Sequence, residues 1–323
     1  MTARVFIDGE AGTTGLQILD RLSARSDIHL LHLDDSERKD SSRRAEMLNA
    51  ADVSVLCLPD DAAREAVSMI ENPAARVIDA STAHRTAEGW VYGFPEYNDG
   101  RPAEIAASTR VANPGCYALG AVSMLHPLVE AGLLPPDHPV TINAVSGYSG
   151  GGRKLIAAFE DEEAPNATDA SFLLYSLDLE HKHVPEIQMH GSLAHRPLFV
   201  PSVGDFAQGM IVSLPLQLWA LPGKAKPADI HEALAAHYAD ESSSQGVTVA
   251  SLQDSASHKA SKLLSGVSID AEELYGRDGL TLYVFGNESR EQAVVCAVLD
   301  NLGKGAAGQA VQNLELMLGL SHV

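Results

Sequence analysis

The sequence predicts an α/β protein with a Rossmann-type, doubly wound parallel sheet and a second, α+β domain that carries a mixed or antiparallel sheet. The chain has 323 residues, more than the roughly 250 to 300 residues at which one hydrophobic core stops growing. Its first part alternates short apolar runs with segments of helical period, and its later part carries longer apolar runs separated by irregular segments. We expect domains at 1–116 and 117–299, with a helix in 300–323 that returns to the first domain.

Strands alternate with helices in the first part. ARVFIDG predicts a strand, and EAGTTGLQILDRLSAR predicts a helix because Leu16, Leu19 and Leu22 recur at helical spacing. Further strands are predicted over IHLLHL, ADVSVLCLP and ARVIDAS, with helices over SSRRAEMLNA and DDAAREAVSMIEN. Strands and helices in this order indicate right-handed crossovers, with helices on both faces of a parallel sheet.

The second part has a different pattern. A long helix is predicted over ALGAVSMLHPLVEAGLL, followed by strands over VTINAVSG, GMIVSLPLQLWAL, GVTVASL and GLTLYVFGN. DESSSQG, residues 240–246, is predicted to be a surface loop. The tail REQAVVCAVLDNLGKGAAGQAVQNLELMLGL shows helix-forming alternation, and we expect it to pack on the first domain.

Composition argues against several function classes. No apolar run approaches the roughly 18 residues of a membrane-spanning helix, and no signal-peptide pattern is present, so we expect a cytoplasmic protein. The formal net charge of -20 argues against nucleic acid or anionic membrane as the main partner. The three cysteines, Cys57, Cys116 and Cys296, form no C-x-x-C pair, so we expect free thiols.

DGEAGTTG places Gly9, Gly12 and Gly15 between the first strand and the first helix. Glycines there allow a tight turn and close backbone approach, and the N–H groups at the helix start can hold a pyrophosphate. The spacing differs from the commonest G-x-G-x-x-G fingerprint, and glycines also occur in turns for structural reasons alone. The position on the first strand–helix unit favours dinucleotide binding.

HLDDSERKD, at the end of the second strand, leaves the identity of the dinucleotide open. Asp34 and Asp35 suit the ribose hydroxyls of NAD. Ser36, Arg38 and Lys39 suit the 2′-phosphate of NADP. The residues alone do not decide between the two.

Cys116 lies in NPGCYALG, at or near the start of a predicted helix. The helix dipole and the free N–H groups favour a thiolate at such a position. Pro114 supports the boundary, because the residue before a proline is pushed out of the helical region. Cys57 and Cys296 have apolar neighbours and are predicted to lie in the core. Cys116 is therefore the candidate nucleophile.

A nucleophilic cysteine needs a base, and LEHKHVPEI offers His181, His183 and Glu186. Pro185 argues against a helix interior, so the segment is predicted to be extended or looped, with both histidines on one side. A metal site of two histidines and one glutamate is a competing interpretation, and solvated loop histidines are a third. Pairing of a cysteine with a histidine is favoured.

Two further segments are candidate anion sites. SGYSGGGRKL predicts a flexible glycine loop that ends in Arg153 and Lys154, although it fails the P-loop pattern. DASTAHR follows the fourth strand, so Ser81 and Thr82 are expected at the carboxyl end of the sheet, where ligands bind in open α/β folds. Arg85 offers a bidentate fork to a phosphate or carboxylate.

DGEAGTTG, DASTAHR, NPGCYALG, SGYSGGGRK, EHKHVPEI and DNLGKGAAGQAVQN occur in this order, and together they resemble the shorter form of the N-acetyl-gamma-glutamyl-phosphate reductases of arginine biosynthesis. The resemblance covers nearly the whole chain, and NPGCY with HKHVPEI is its most specific part. Aspartate-semialdehyde dehydrogenases and glyceraldehyde-3-phosphate dehydrogenases are more distant relatives. STAHR departs from the SADFR-like segment of the longer form.

The resemblance implies NADPH-dependent, reversible reduction of an acyl phosphate to an aldehyde. Cys116 would attack the acyl phosphate to form a thioester, His181 would move the proton, Glu186 would orient that imidazole, and His183 would assist or bind substrate. The residues then implied to bind substrate are Arg85, Asn113, Ser149, Arg153 and Tyr175. The residues implied to bind NADP(H) are Gly9, Gly12, Thr13, Thr14, Gly15, Ser36, Arg38, Ser81, Thr82, Asn301 and Gly305.

The same resemblance implies a homodimer or homotetramer whose other partners are a small substrate and phosphate, and no metal is expected. Aspartate-semialdehyde dehydrogenase, or another phosphorylating semialdehyde dehydrogenase, is the nearest alternative function. A non-catalytic dinucleotide sensor on the same fold is a second alternative. A metal hydrolase that uses His181, His183 and Glu186 is a third.

Overall fold

The computed structural model describes residues 2–239, 246–260 and 266–321. The chain divides into two compact units, one within 1–115 and 306–323 and the other within 116–305. Each unit is built around its own sheet. Of the surface loop predicted at 240–246, residues 240–245 lie outside the described part of the chain.

The sheet of the first unit is entirely parallel, in the order β2-β1-β3-β4-β6-β5. Its strands are β1 (Ala3–Asp8), β2 (Ile28–Leu31), β3 (Val53–Leu56), β4 (Arg76–Asp79), β5 (Val91–Tyr92) and β6 (Arg110–Ala112). The helices that follow are α1 (Thr13–Ser23), α2 (Ser41–Ala50), α3 (Asp60–Ser68) and α4 (Arg101–Ala107). The predicted doubly wound sheet is confirmed.

Helices cover both faces of this sheet because side chains alternate along β1. Val5 and Ile7 pack with Ile18 of α1 in one apolar cluster, whereas Phe6 packs with Leu48 of α2 in another. Leu16, which was expected on the buried side of α1, is 51% exposed. The buried residues of α1 are Gly15, Ile18 and Leu22.

The sheet of the second unit is mixed, in the order β11-β12-β13-β10-β7-β9-β8. Two pairs, β7 with β9 and β11 with β12, are parallel, and the other pairs are antiparallel. Its strands are β7 (Thr141–Gly147), β8 (Phe172–Leu174), β9 (Leu198–Gly204), β10 (Met210–Gln217), β11 (Val247–Val249), β12 (Leu280–Asn287) and β13 (Gln292–Leu299).

Two parts of the sequence prediction for this unit are wrong. Gln292–Leu299, expected to be helical, is strand β13, because its valines pair along the whole length of both β10 and β12. The prediction also omitted β8 and β9, and LFVPSVG of β9 contains Pro201. Proline is rare inside sheets because it cannot donate to the ladder, and here it lies opposite Ala144 of β7.

The helices of the second unit are α5 (Cys116–Glu130), α6 (Gly152–Glu160), α7 (Val184–His190), α8 (Pro227–His237) and α9 (Leu252–Ser257). Helix α5 is buried along most of its length. A Cβ atom on its Gly120 would lie 2.8 Å from Cγ2 of Val212, so this glycine lets the helix lie close to β10. Within the described residues, no helix is both long enough and apolar enough to cross a bilayer.

The last helix, α10 (Gly308–Leu318), belongs to the first unit. Ala310, Val311 and Leu314 join Val5 and Val111 in one apolar cluster. Helix α10 therefore packs in the apolar core of the first unit. The chain crosses between the two units at Gly115–Cys116 and again at Gly305–Ala306.

Candidate active site

Cys116 is the first residue of α5 and is half-buried. A helix start favours the thiolate through the dipole and the free N–H groups. The other two thiols have the opposite environment. Desolvation raises the pKa of Cys57 to about 12, with a further contribution from the Asp79 carboxylate, and burial raises the pKa of Cys296 to about 12. The comparison favours Cys116 as the nucleophile.

Five rings from distant parts of the second unit meet around His181, and we call them the His181 cluster: Tyr117, Tyr175, His181, His183 and Phe199. The His181 ring centroid lies 5.8 Å from that of Tyr117, 5.7 Å from that of Tyr175, 4.7 Å from that of His183 and 5.1 Å from that of Phe199. Both histidines are buried. Solvated loop histidines are therefore the wrong interpretation.

Hydrogen bonding assigns the proton of neutral His181. The backbone N–H of His183 donates to Nδ1 of His181 over 3.1 Å. Because Nδ1 acts as the acceptor, the neutral imidazole carries its proton on Nε2. The Tyr175 hydroxyl lies 3.5 Å from that Nε2. Neutral His181 is thus arranged to donate a hydrogen bond from Nε2.

The segment EHKHVPEI was predicted to be extended or looped, and this is correct only for its first part. His183 caps α7, and Pro185 lies in the first turn of that helix. Proline is tolerated in a first turn because the N–H that it lacks has no partner within the helix. Glu186, in the same turn, is buried with 1% of its surface exposed.

Cys116 acts electrostatically on the tyrosines of the His181 cluster. Burial raises the pKa of Tyr175 to about 12, and the charge of Cys116 adds to the rise. Burial also raises the pKa of Tyr117, with contributions from Tyr175 and Cys116. Tyr117, the chain neighbour of Cys116, and Tyr175 both contact the His181 ring. The raised pKa values keep both phenols neutral at ordinary pH.

The turn after β13 packs on Cys116. A Cβ atom on Gly305 would lie 2.8 Å from Cβ of Cys116, so a side chain is excluded there. Asp300 is fully buried and holds the turn, since its Oδ1 accepts the N–H groups of Leu302 and Gly303 over 2.8 and 3.0 Å. The close packing explains the glycine at position 305.

Ser149 and Asn301 meet within the second unit. Nδ2 of Asn301 donates to the Ser149 hydroxyl over 2.9 Å, and Oδ1 of Asn301 accepts the N–H of Gly209 over 2.7 Å. The glycine-rich segment before Arg153 is not the predicted flexible loop. A short 3-10 turn at Tyr148–Gly151 leads into α6, and Arg153 is exposed in the first turn of that helix.

The glycine turn, Gly9–Gly15, has the geometry that a nucleotide phosphate requires. Gly9 has a φ of +90°, and a Cβ atom there would lie 2.4 Å from the Cys57 carbonyl oxygen. A Cβ atom on Gly15 would lie 2.4 Å from the Gly9 carbonyl oxygen. Helix α1 begins after Gly12 without a side-chain cap, so its first N–H groups can receive an anion. These residues fit a dinucleotide phosphate.

A cleft of about 330 Å³ lies beside the glycine turn, at the carboxyl ends of β1 and β2. Arg38 and Lys39 line it together with Glu10, whereas Ser36 is exposed and does not line it. Arg38 donates to Glu10 over 2.9 Å and pairs with Asp35 at 2.9 Å. Arg44 lines the cleft as well, but it is buried and paired with Asp8 at 2.9 Å. Arg38 and Lys39 are therefore the exposed cations where the adenosine ribose binds in Rossmann-type domains.

DASTAHR forms a hydrogen-bonded loop at the carboxyl end of β4. Asp79 accepts the N–H and the hydroxyl of Ser81 over 2.9 and 2.8 Å, and one of its oxygens lies 2.6 Å from Nδ1 of His84. Thr82 donates its hydroxyl and its N–H to Asp60. Both hydroxyls are therefore engaged, that of Ser81 with Asp79 and that of Thr82 with Asp60 at the start of α3.

Arg85 is buried and donates to backbone carbonyls of the first unit, from Nε to Asn113 over 2.9 Å and from Nη2 to Ala80 over 3.1 Å. The Asn113 amide in turn donates to the Ala306 carbonyl and accepts from Asn313, each over 3.0 Å. These contacts join the loop after β4 to the segment that leads to Cys116.

The side chains that have the spacing of metal ligands do not include His181. Among the described residues, the one group with three ligand atoms within 4.8 Å of one another is His126, Glu130 and His237, on α5 and α8. Glu130 lies 3.8 Å from Nε2 of His126 and 3.3 Å from Nδ1 of His237, as expected of a carboxylate shared by two imidazoles. His181, His183 and Glu186 are not part of this group.

Sequence reasoning missed several residues at these sites. Tyr117 and Asp300 could have been predicted, because they adjoin the predicted site residues Cys116 and Asn301. His84 lies inside DASTAHR, where the predicted ligand-binding residues were Ser81, Thr82 and Arg85. Phe199 carried no signal, since its strand, β9, was itself omitted from the prediction.

Comparison with known families gives two matches that together cover most of the chain. The family described as "Semialdehyde dehydrogenase, NAD binding domain" matches residues 4–106. The family described as "Semialdehyde dehydrogenase, dimerisation domain" matches residues 116–301.

Several curated proteins are similar over nearly the full length. A protein of Burkholderia cenocepacia is 54% identical over 317 residues, which is 98% of this chain and 97% of that protein. A protein of Brucella ovis is 52% identical over 320 residues, which is 99% of this chain and 100% of that protein. Both are named N-acetyl-gamma-glutamyl-phosphate reductase.

Solved structures share the fold at low identity. Aspartate semialdehyde dehydrogenase II of Vibrio cholerae superposes with a TM-score of 0.69 at 14% identity and covers 99% of both chains. A probable aspartate-semialdehyde dehydrogenase of Pseudomonas aeruginosa has a TM-score of 0.68 at 19% identity, over 98% of this chain and 99% of that one. At these identities the likeness concerns the fold alone.

Proposed function

The chain belongs to the semialdehyde dehydrogenase family, among the N-acetyl-gamma-glutamyl-phosphate reductases, and from this premise we propose that it reduces N-acetyl-L-glutamyl 5-phosphate to N-acetyl-L-glutamate 5-semialdehyde and phosphate in arginine biosynthesis. The reaction is reversible and uses NADPH. The observation that carries the proposal is Cys116 at a helix start, within the electrostatic reach of the cluster that holds His181.

Cys116 begins the reaction as a thiolate. Its sulfur attacks the acyl carbon of the substrate, the bond from that carbon to the phosphate oxygen breaks, and phosphate leaves with the electron pair. A thioester on Cys116 results. The start of α5 supports this step because the helix dipole stabilises the thiolate both as nucleophile and as leaving group.

Bound NADPH supplies the hydride that reduces the thioester. Protonated His181 would supply the proton from Nε2, the ring nitrogen that does not accept the His183 N–H in the neutral form. The proton goes to the oxygen of the thiohemiacetal and returns to Nε2 as the carbon–sulfur bond breaks. Release of the aldehyde regenerates the Cys116 thiolate.

Other residues position these groups. Glu186 and His183 would support the His181 imidazole, and a neutral Tyr175 would offer a hydrogen bond beside it. Residues proposed to bind substrate are Arg85, Asn113, Ser149, Arg153 and Tyr175. Residues proposed to hold the cofactor are Gly9, Gly12, Thr13, Thr14, Gly15, Ser36, Arg38, Ser81, Thr82, Asn301 and Gly305.

NADP(H) is proposed over NAD(H) because Arg38 and Lys39 line the cleft beside the glycine turn. A 2′-phosphate there would bind the Arg38 guanidinium as a fork, which a ribose hydroxyl cannot do. The acidic residues Asp34 and Asp35 are both exposed. Their exposure makes them weaker partners for a buried ribose.

We also propose that residues 1–116 bind the dinucleotide, that 117–299 bind substrate and associate with another copy, and that 300–323 return to the first domain of a cytoplasmic homodimer or homotetramer. Edge strand β8 supports association, because Phe172, Leu173 and Leu174 are all exposed. Sedimentation velocity is expected to give a species of at least two chains. A monomer at micromolar concentration would contradict this part.

The test is phosphate-dependent reduction of NADP⁺ by N-acetyl-L-glutamate 5-semialdehyde, run beside L-aspartate 4-semialdehyde. We expect turnover of the acetylated substrate that requires phosphate, and a kcat/KM for the aspartate compound at least about 100-fold lower. Preference for the aspartate compound would identify an aspartate-semialdehyde dehydrogenase instead. No turnover of either would leave the dinucleotide sensor as the better account.

A further inference from the structure

Glu10 is an acidic residue within the glycine turn, directly after Gly9. Its side chain lines the cleft together with Gly9, Arg38 and Lys39. Only 14% of the side chain is exposed, so the carboxylate faces the cleft wall and its partners more than bulk water. An anion therefore stands beside the two cations that favour a 2′-phosphate.

Both carboxylate oxygens of Glu10 have partners. Oε1 accepts a hydrogen bond from Nη2 of Arg38 over 2.9 Å, and Oε2 lies 3.0 Å from Nδ1 of His32. Arg38 also pairs with Asp35, whose side chain is 88% exposed. The guanidinium that would bind the 2′-phosphate is thus shared by two carboxylates, and Glu10 is the more buried of them.

We propose that Glu10 is a specificity-determining residue that weakens binding of the 2′-phosphate of NADP(H) and favours the ribose hydroxyl of NAD(H). The inference rests on the proposed use of NADP(H). A carboxylate repels the phosphate and competes with it for Arg38. A ribose hydroxyl, by contrast, donates a hydrogen bond to a carboxylate. Glu10 therefore narrows the preference for NADP(H) that Arg38 and Lys39 create.

The test compares Glu10→Gln with a matched control, Glu37→Gln. Both changes remove one negative charge and keep the side-chain shape. Glu37 directly precedes Arg38 in the chain and pairs with Arg43 at 3.0 Å, but it does not line the cleft. Calorimetric titration of the full chain with adenosine 2′,5′-bisphosphate and with AMP measures binding directly, without turnover.

We expect Glu10→Gln to bind the bisphosphate about five- to tenfold more tightly than the unmodified protein, because a like charge is removed close to the phosphate. AMP, which lacks the 2′-phosphate, should bind about equally or slightly more weakly. Glu37→Gln should stay within about twofold for both ligands. Equal bisphosphate dissociation constants for the two variants would overturn the proposal. If Glu10→Gln does not fold, as judged by circular dichroism, Glu10→Ala carries the same expectation.

Arg38→Gln separates this inference from the proposed function. If the cofactor is NADP(H), that variant should lose about tenfold or more in affinity for the bisphosphate and little for AMP. If the unmodified protein binds both ligands equally and Arg38→Gln changes neither, the proposal of NADP(H) fails. The comparison of Glu10→Gln with Glu37→Gln still measures the effect of the carboxylate in that case.

Discussion

The glycine turn of the first unit and the His181 cluster of the second unit are built in opposite ways. The glycine turn is one continuous segment whose geometry depends on the absence of side chains, with Cβ positions 2.4 Å from carbonyl oxygens at Gly9 and Gly15. The His181 cluster takes its rings from α5, β9 and the chain between β8 and α7. In the proposed function, the glycine turn would act through backbone N–H groups and the His181 cluster through side-chain chemistry.

The difference has a consequence for mutation. A functional group in the His181 cluster can be removed by changing one atom while the backbone stays in place. The glycine turn has few functional side-chain atoms to remove, and it fails instead when an atom is added. Substitutions in the two regions should therefore separate loss of chemistry from loss of shape.

Cys116→Ser should have the largest effect. We expect kcat to fall by about 10³-fold or more, because a serine hydroxyl is not ionised by a helix start as a thiol is. Steady-state turnover of N-acetyl-L-glutamate 5-semialdehyde checks this. Cys57→Ser and Cys296→Ser are the matched controls and should keep most activity per folded molecule. If Cys116→Ser keeps activity near that of the unmodified enzyme, Cys116 is not the nucleophile.

His181→Asn should come next, with kcat lower by about 10²- to 10⁴-fold, since the Nε2–H donor is lost. The pH–rate profile should lose one ionisation at the same time. His183→Asn should keep that ionisation, because the contact from residue 183 to Nδ1 of His181 is made by the backbone N–H. The reverse result, with the ionisation lost in His183→Asn alone, would exchange the roles of the two imidazoles.

Gly15→Ala tests the other region. The new Cβ atom would meet the Gly9 carbonyl oxygen, so the turn must open, and we expect stability to fall by about 1 to 3 kcal/mol. NADPH affinity should fall by about tenfold or more. Gly100→Ala is the control, because a Cβ atom added there would have no neighbour closer than a side-chain atom at 3.6 Å. Thermal unfolding and cofactor titration measure both effects, and unchanged NADPH binding in Gly15→Ala would argue against the turn as the phosphate site.

Tyr175→Phe should have the smallest effect, about two- to tenfold on kcat, because the long hydrogen bond that the Tyr175 oxygen accepts from Nε2–H of His181 is lost. The pKa of Tyr175 is raised to about 12, so the phenol stays protonated at any pH below about 11. The pH–rate profile from pH 6 to 10 should therefore keep its shape, as rates measured across that range would show. A lost ionisation in that range would make Tyr175, rather than His181, the titrating group.

The same contrast explains what could be predicted from the sequence. The glycine turn was predicted from DGEAGTTG because all its determinants are neighbours in the chain. The position of Cys116 followed from Pro114 for the same reason. The meeting of Phe199 with His181 could not be predicted, because it depends on the register of a strand that contains Pro201.

The secondary-structure prediction was wrong for two segments. QAVVCAVL has an alternation that suits a helix, yet pairing on both edges with β10 and β12 makes it a strand. Pro185 argues against a helix interior, but it lies in the first turn of α7, where a proline costs no hydrogen bond. The pairing partners decide the structure of QAVVCAVL, whereas the place of Pro185 within its own helix decides the second case.

The most direct test of the central claim is to trap the acyl group on its residue. The enzyme is mixed with N-acetyl-L-glutamate 5-semialdehyde and NADP⁺ without phosphate, quenched in acid, and digested for peptide mass spectrometry. We predict an N-acetylglutamyl thioester on the Cys116 peptide, absent from the peptides of Cys57 and Cys296 and released when phosphate is added before the quench. An acyl group on another residue, or none while NADPH forms in a burst, would contradict the mechanism.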